Sequence, residues 1–312
     1  MNKKAKQFVK NIPIVKILIK TLIHPSLKTK KIDKEIKKVF NNLDSSLEDF
    51  YKTEIIPNLI ISLTSFPTRI KFIEYTIFSL IQQNIRPEKI FLWLSETEFP
   101  NKENNIPDNI KRYHQFGLEI KFIKENHRSY KKLVYSLKEY PKHVIVTADD
   151  DVYYKPEWLK LLFSMHKLFP KNIISHYTRR VSFNNKKLKP YLTWKHNAYD
   201  VSFINFSVGL GGILYPPDCL YKDVTDSSLY LKLCPHADDI WFYVMALLAG
   251  TKIRKVKSFR RKVYPLDYQY TNEWKDIPSL MDVNWNENKN DAQLKAVLKH
   301  YSIYKDFYDK YA

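Results

Sequence analysis

The sequence predicts an α/β domain, a mostly parallel sheet covered by helices on both faces, and three observations carry that reading. Short β-branched apolar runs alternate with longer segments of helical period between Asn58 and Leu168. An acidic triplet, Asp149-Asp150-Asp151, stands directly after one of those runs. Another run ends in the polar loop Thr64-Ser65-Phe66-Pro67-Thr68-Arg69. Strands separated by helices of this length require right-handed crossovers, which make neighbouring strands parallel.

In chain order, Leu59-Ile60-Ile61-Ser62-Leu63 reads as the first strand, and Ile70 to Gln83 has apolar residues at helical spacing. Lys89 to Leu94 is a second strand and Ile120 to Ile123 a third. A helix from about Ser129 to Tyr140 follows, then the strand His143-Val144-Ile145-Val146-Thr147 and a helix from Pro156 to Leu168. From 177 to 235 the periodicity weakens. Val208-Gly209-Leu210-Gly211-Gly212 stands out there, because it holds three of the chain's 5 glycines. A strong helix, Asp239 to Leu248, is introduced by His236-Ala237-Asp238. The predicted organisation is a basic amphipathic segment over 1–57, one domain over 58–265, and a C-terminal extension over 266–312 packed on it.

The 312 residues, 44% of them hydrophobic, suffice for a full core. Lys and Arg number 52 against 33 Asp and Glu, a net +19. Residues 1–40 carry 12 Lys against Asp33 and Glu35, so about half of the excess lies in that short stretch. A surface gripping nucleic acid throughout is excluded by this distribution. Val15, Leu18, Ile19, Leu22 and Ile23 share one helical face, with Lys16 and Lys20 on another. Such a helix suits an anionic membrane surface or docking on the protein's own body. Ile12 to Ile23, broken by Pro13 and two lysines, is too short and too charged to span a bilayer, and no small-residue cleavage site follows it. Cys219 and Cys234 are the only cysteines, which argues against a disulfide framework and fits a reducing cytosol.

Consecutive carboxylates repel one another and resist burial, so three at the mouth of a core strand call for a cation. Oxygen ligands of this kind suit Mg²⁺ or Mn²⁺ shared with substrate phosphates. A solvated turn is the plainer reading of the triplet. Asp238-Asp239 at a helix start is a second acidic pair, for which capping is the plainer reading. Arg69, His127, Arg128, Lys131 and Lys132 follow predicted strands and are placed to hold a pyrophosphate. Trp194, Tyr199, Phe203 and Phe206 suit either sugar stacking or the core, the core being favoured for most.

Together, Thr64-Ser65-Phe66-Pro67, the Asp149–Asp151 triplet, the Gly209–Gly212 loop and Asp238-Asp239 make residues 58–265 resemble a GT-A glycosyltransferase of the family 2-like kind. The resemblance implies a GT-A, Rossmann-like sheet, a nucleotide-sugar donor (a UDP-sugar first), a Mn²⁺ or Mg²⁺ ion, and transfer of one sugar with inversion to a glycan or lipid-linked acceptor. It implies donor contacts from Thr64, Ser65, Pro67, Arg69, Arg128, Lys131, Lys132, Asp149, Asp150, Gly211 and Gly212, with Asp150 turned chiefly toward its own turn. Asp149 and Asp151 would hold the metal, with His196, His236 and His300 open as further ligands. Asp238 would be the base and Asp239 a helix cap or orienting partner. The Gln-x-x-Arg-Trp signature of processive members is missing, which favours single additions. Bacterial surface polysaccharide or lipopolysaccharide synthesis on the cytoplasmic face of the membrane is the implied setting, with no nucleic-acid partner. Two alternatives stand beside this. A nucleotidyltransferase would need a glycine-rich loop after the first strand, where Thr64 to Arg69 has no glycine. A basic binding protein would draw on the aromatic and basic residues interleaved at 176–199.

Overall fold

The computed structural model describes residues 28–196, 198–258, 261–266 and 289–312. The expected amphipathic stretch Ile12–Ile23 and residues 267–288 of the 266–312 extension lie outside them.

The expected strands and helices of the first half are present. They are β1 (Ile55–Thr64), β2 (Arg86–Ser95), β3 (Leu118–Ile123) and β4 (Val144–Thr147), with β5 (Val152–Tyr154) following the acidic triplet. The remaining strands are short: β6 (Ile173–Ser175), β7 (Thr178–Arg180), β8 (Phe183–Asn184), β9 (Lys187–Leu188), β10 (Lys195–His196), β11 (Val201–Ser202), β12 (Asn205–Ser207), β13 (Ile213–Tyr215), β14 (Ile253–Lys255) and β15 (Val263–Pro265). Eight strands form one sheet in the order β11-β14-β6-β13-β4-β1-β2-β3. Its pairings are parallel except where β13 lies between β4 and β6 and where β11 closes the edge on β14. The predicted mostly parallel sheet is therefore found, with one reversed strand inserted near its middle.

Alternation along β1 divides the interior into two layers. Leu59, Ile61 and Leu63 enter one cluster with Val146 and Trp158, whereas Ile60 faces Phe91, Trp93 and Ile145 in the other. The first layer is covered by α1 (Thr29–Asn41), α2 (Leu43–Lys52), α3 (Glu74–Ile81) and, later in the chain, α5 (Trp158–Leu168). The second is covered by α4 (Lys131–Glu139), α6 (Ser227–Leu233), α7 (Asp238–Leu248) and α8 (Lys289–His300). Helices do lie on both faces. Among the described residues no helix is long and apolar enough to cross a membrane.

The first strand starts four residues earlier than the sequence suggests, because its pairing with β2 is interrupted between Ile56 and Ile60. Pro57 has no amide to donate there, and Asn58 takes φ +57. Trp194 and Phe206 are core residues, Phe203 is half-buried, and Tyr199 is exposed with the Lys255 ammonium 4.1 Å from its ring centroid.

Candidate functional site

Parallel strands that end together present their loops on one edge, and in open α/β sheets that edge is where ligands bind. Here the carboxyl ends of β1, β2, β3 and β4 deliver Ser65, Glu98, His127 and Asp149 to it.

The loop after β1 and the triplet after β4 are joined directly. Ser65 Oγ donates to Asp150 Oδ2 at 2.6 Å, and Arg69 Nη1 donates to Asp150 Oδ1 at 2.8 Å. Arg69 Nη1 also lies 3.2 Å from Asp151 Oδ2. Pro67 opens the helical turn Pro67–Ile70 that carries Arg69 inward, its fixed φ being suited to a first helical position. Thr64 is turned into the sheet, donating to the Trp93 carbonyl at 2.8 Å. Asp150 is thus buried and ion-paired rather than turned away from the site. Asp151 is crowded: burial first, then the charges of Asp150 and Asp149, push its carboxyl up to about 6 against the opposing pull of Arg69.

The second cluster is built around Lys132, on the first turn of α4 and only 7% exposed. Its Nζ donates to Asp149 Oδ1 at 2.8 Å and lies 3.2 Å from Asp238 Oδ2 in an ion contact outside hydrogen-bond geometry. Burial opposes its charge, but Asp149, Asp238 and Asp239 together outweigh that and raise its pKa. Asp239 Oδ2 accepts the Gly209 amide at 2.9 Å. Burial and the neighbouring Asp238 charge push the Asp239 carboxyl up to about 7, with Lys132 working in the other direction. The expected capping role of Asp239 is therefore replaced. The N-cap of α7 is Ala237, without a side-chain bond, and Asp239 reaches across to the glycine loop instead.

Lys132 brings together what the sequence could only place on one edge, the triplet and the late acidic pair. Lys131, also buried, pairs with Glu98 at 2.7 Å, and its pKa is lowered by burial despite that partner. Arg128 departs from the cluster: at φ +52, it turns its guanidinium to the Pro235 carbonyl at 3.3 Å and His236 Nδ1 at 2.7 Å.

At Gly211 and Gly212 the missing side chains leave room for packed aromatic rings. A Cβ on Gly211 would meet Tyr177 at 2.7 Å, and one on Gly212 would meet Trp158 at 2.3 Å. Gly212 also takes φ +79, a left-handed value that favours glycine. Gly212→Ala is expected to destabilise the fold by about 2–4 kcal/mol, combining overpacking with backbone strain. A urea titration would read this as a lowered midpoint at unchanged slope. Gly209 is the glycine that faces the acids: a Cβ there would lie 2.9 Å from Asp239 Oδ1 and 3.3 Å from Lys132 Nζ.

Sequence reasoning missed Glu98 as a site residue, and it singled out Gly209 within the glycine loop without placing it among the donor contacts. Glu98 was detectable, since it follows the second strand on the same edge. Among the described residues no three carboxylate, imidazole or thiol side chains form a ready metal cage. His196 sits exposed on β10, His236 faces Arg128, and His300 ends α8 against Tyr301.

No protein-family model matches the chain, and no curated protein matches it. Among solved structures it is similar to S. aureus TarS 1–349, at 14% identity over 80% of this chain and 72% of that one, TM-score 0.43. The same TarS fragment in complex with UDP-GlcNAc aligns at 13% identity over 80% and 73%, TM-score 0.42. An apo UDP-glucose pyrophosphorylase aligns at 9% identity over 80% and 98%, TM-score 0.40. Likeness at this level fixes neither family nor activity.

Proposed function

We propose that this protein is a glycosyltransferase that moves one sugar from a nucleotide-sugar donor to an acceptor hydroxyl on a glycan or lipid-linked glycan. The observation that carries the reading is the joining of two acidic groups, one at a strand end and one at a helix start, through the buried ammonium of Lys132. A donor diphosphate needs positive charge, and an acceptor hydroxyl needs a base. This edge offers both within one cluster.

A divalent cation, Mn²⁺ or Mg²⁺, fits the triplet. Burial and the neighbouring Asp150 and Asp149 charges outweigh Arg69 and push the Asp151 carboxyl up to about 6, and Asp149 and Asp151 would hold the ion. With no three-ligand cage among the described residues, substrate phosphate and water would complete the shell, as is usual for Mg²⁺. When bound, the ion would stabilise negative charge on the departing diphosphate. Arg69 fixes the orientation of Asp150 and Asp151, and Lys132 holds Asp149 toward the donor.

The acceptor oxygen attacks C1 as the bond from C1 to the β-phosphate oxygen breaks. The diphosphate leaves with the bonding electrons, and the hydroxyl proton passes to the Asp238/Asp239 pair. Asp239, raised to about 7, is the member suited to accept it at neutral pH. Asp238 lies 3.2 Å from the Lys132 ammonium, which orients it beside Asp239. Base and leaving group on opposite sides of the sugar give inversion. The basic N-terminal region suits an acceptor presented at an anionic membrane surface on the cytoplasmic side.

The test is donor hydrolysis across UDP-, GDP- and CMP-sugars, with and without Mn²⁺, beside Asp151→Ala. Slow release of one nucleotide that needs metal and is lost in the variant is the expected result. Pyrophosphate release from a nucleoside triphosphate and a sugar phosphate would point to a nucleotidyltransferase instead. If nucleotide with Mn²⁺ neither reacts nor raises the melting temperature, the transferase reading fails.

A further inference from the structure

We propose that the outward face of α1 is an electrostatic docking surface for anionic lipid, deepening the membrane part of the proposed function while not depending on its donor chemistry. Ile32 and Ile36 are buried in the core, and Val39 and Phe40 pack beside them. At 100° per residue the five lysines Lys30, Lys31, Lys34, Lys37 and Lys38 fall within an arc of about 120° centred opposite that apolar face. All five are exposed. Asp33 and Glu35, the helix's acids, fall at the two flanks of the arc and break neither its sign nor its continuity.

Like charges adjoin along this arc, and its net sign is positive. Lys30 and Lys34, Lys34 and Lys38, Lys31 and Lys34, and Lys34 and Lys37 are like charges at spacings that repel on a helix. Lys28, Lys30 and Lys31 crowd the amino end, where the first turn has no acid, so they also oppose the helix dipole. None of these ammonium groups has an ion-pair partner among the described residues. A helix face that only needed solubility would mix its signs, as α2 does by pairing Lys52 with Glu48 at 2.8 Å. Asp33, three and four residues from Lys30 and Lys37, and Glu35, three and four from Lys38 and Lys31, offset part of that repulsion. The positive excess that remains on the outward arc is matched when an extended negative surface lies against it.

The arc is lysine only, without arginine or aromatic residues to read a base or stack on one, which favours a lipid headgroup layer over nucleic acid. Its lysine stems reach outward while the apolar face stays in the core, so docking needs no insertion. The position is also apt. Ile32 and Ile36 share a core cluster with Val152, Tyr153 and Tyr154, which places α1 on the same layer as β5, the strand leaving the acidic triplet. An acceptor held in the lipid layer would meet the protein on that side.

The experiment is co-sedimentation of the full chain with phosphatidylcholine vesicles, with and without phosphatidylglycerol. Lys30→Glu/Lys34→Glu/Lys37→Glu is compared with Lys160→Glu/Lys167→Glu/Lys171→Glu, an equal charge change on exposed lysines elsewhere. Binding only to the anionic vesicles, weakened about 100-fold by the α1 variant and little by the other, is expected. It should also fade as salt rises. The α1 variant makes as many like-charge pairs at these spacings as it removes, so its melting temperature should be little changed, which separates lost docking from lost folding. Equal weakening by both variants, or binding unchanged in the α1 variant, would overturn the proposal. So would complete loss on Lys16→Glu/Lys20→Glu with α1 intact. Donor hydrolysis should be the same in all variants, so a failed donor reading and a failed docking surface give different results.

Discussion

Asp239→Asn is expected to lower sugar transfer by about 10²–10⁴-fold in kcat while leaving donor KM nearly unchanged, the range for loss of a general base. Asparagine is close in shape and can still accept the Gly209 amide through its carbonyl oxygen, so the loop and α7 should keep their places. What it cannot do is take a proton. The wild-type rate should rise with pH as the pair loses its proton near 7, and this limb should vanish in the variant. A pH profile of kcat/KM checks both points. If Asp238→Asn removes the limb and Asp239→Asn does not, the roles of the two acids are exchanged.

Lys132→Met acts on stability as much as on rate. Removing one member of a buried charged cluster typically costs about 3–5 kcal/mol, because the other charges are left without compensation. Here three carboxylates lose their shared cation. The sign of the pH dependence follows from Asp239, whose folded pKa of about 7 lies above the ordinary carboxylate range. A raised carboxyl favours the folded state while it holds its proton, below the ordinary range near pH 4. That contribution is lost as pH rises through about 7. Without Lys132 the Asp239 carboxyl should rise further, so the variant's deficit should be largest at pH 8 and shrink toward pH 5. Urea midpoints at the two pH values measure this, and an equal deficit at both would show that the cluster is not charged as drawn.

The parts of this site legible in the sequence are those that one element supplies alone. The Asp149 triplet was readable because β4 is a short, buried, β-branched run and the acids follow it without a gap. The first four strands of the main sheet were readable for the same reason. The strands β6 and β13 were not, since three buried residues each give no period to detect. Contacts between distant elements were also hidden. Nothing local to Lys132 says that its ammonium will bridge Asp149 and Asp238, and a buried lysine at a helix start runs against its usual exposure. The packing of the glycine loop was hidden for a related reason. Its composition announces close approach, but only the packed fold shows that a tryptophan takes the space a Gly212 side chain would need.

The reversed strand β13 sets where this domain can accept new sequence. Because Ile213 pairs with Thr147 and Tyr215 with Ile145, it is the start of β13 that lies at the ligand edge, and its end lies at the opposite one. The loop entering the strand, 208–212, is thus part of the wall that holds Asp239, while the loop leaving it, from Pro216 onward, belongs to the far rim. Lengthening the first by even one residue would shift the Gly209 amide off the base. A graft of several residues after Pro217 would leave the acids in register, making that rim the place for an inserted tag or a family-specific embellishment.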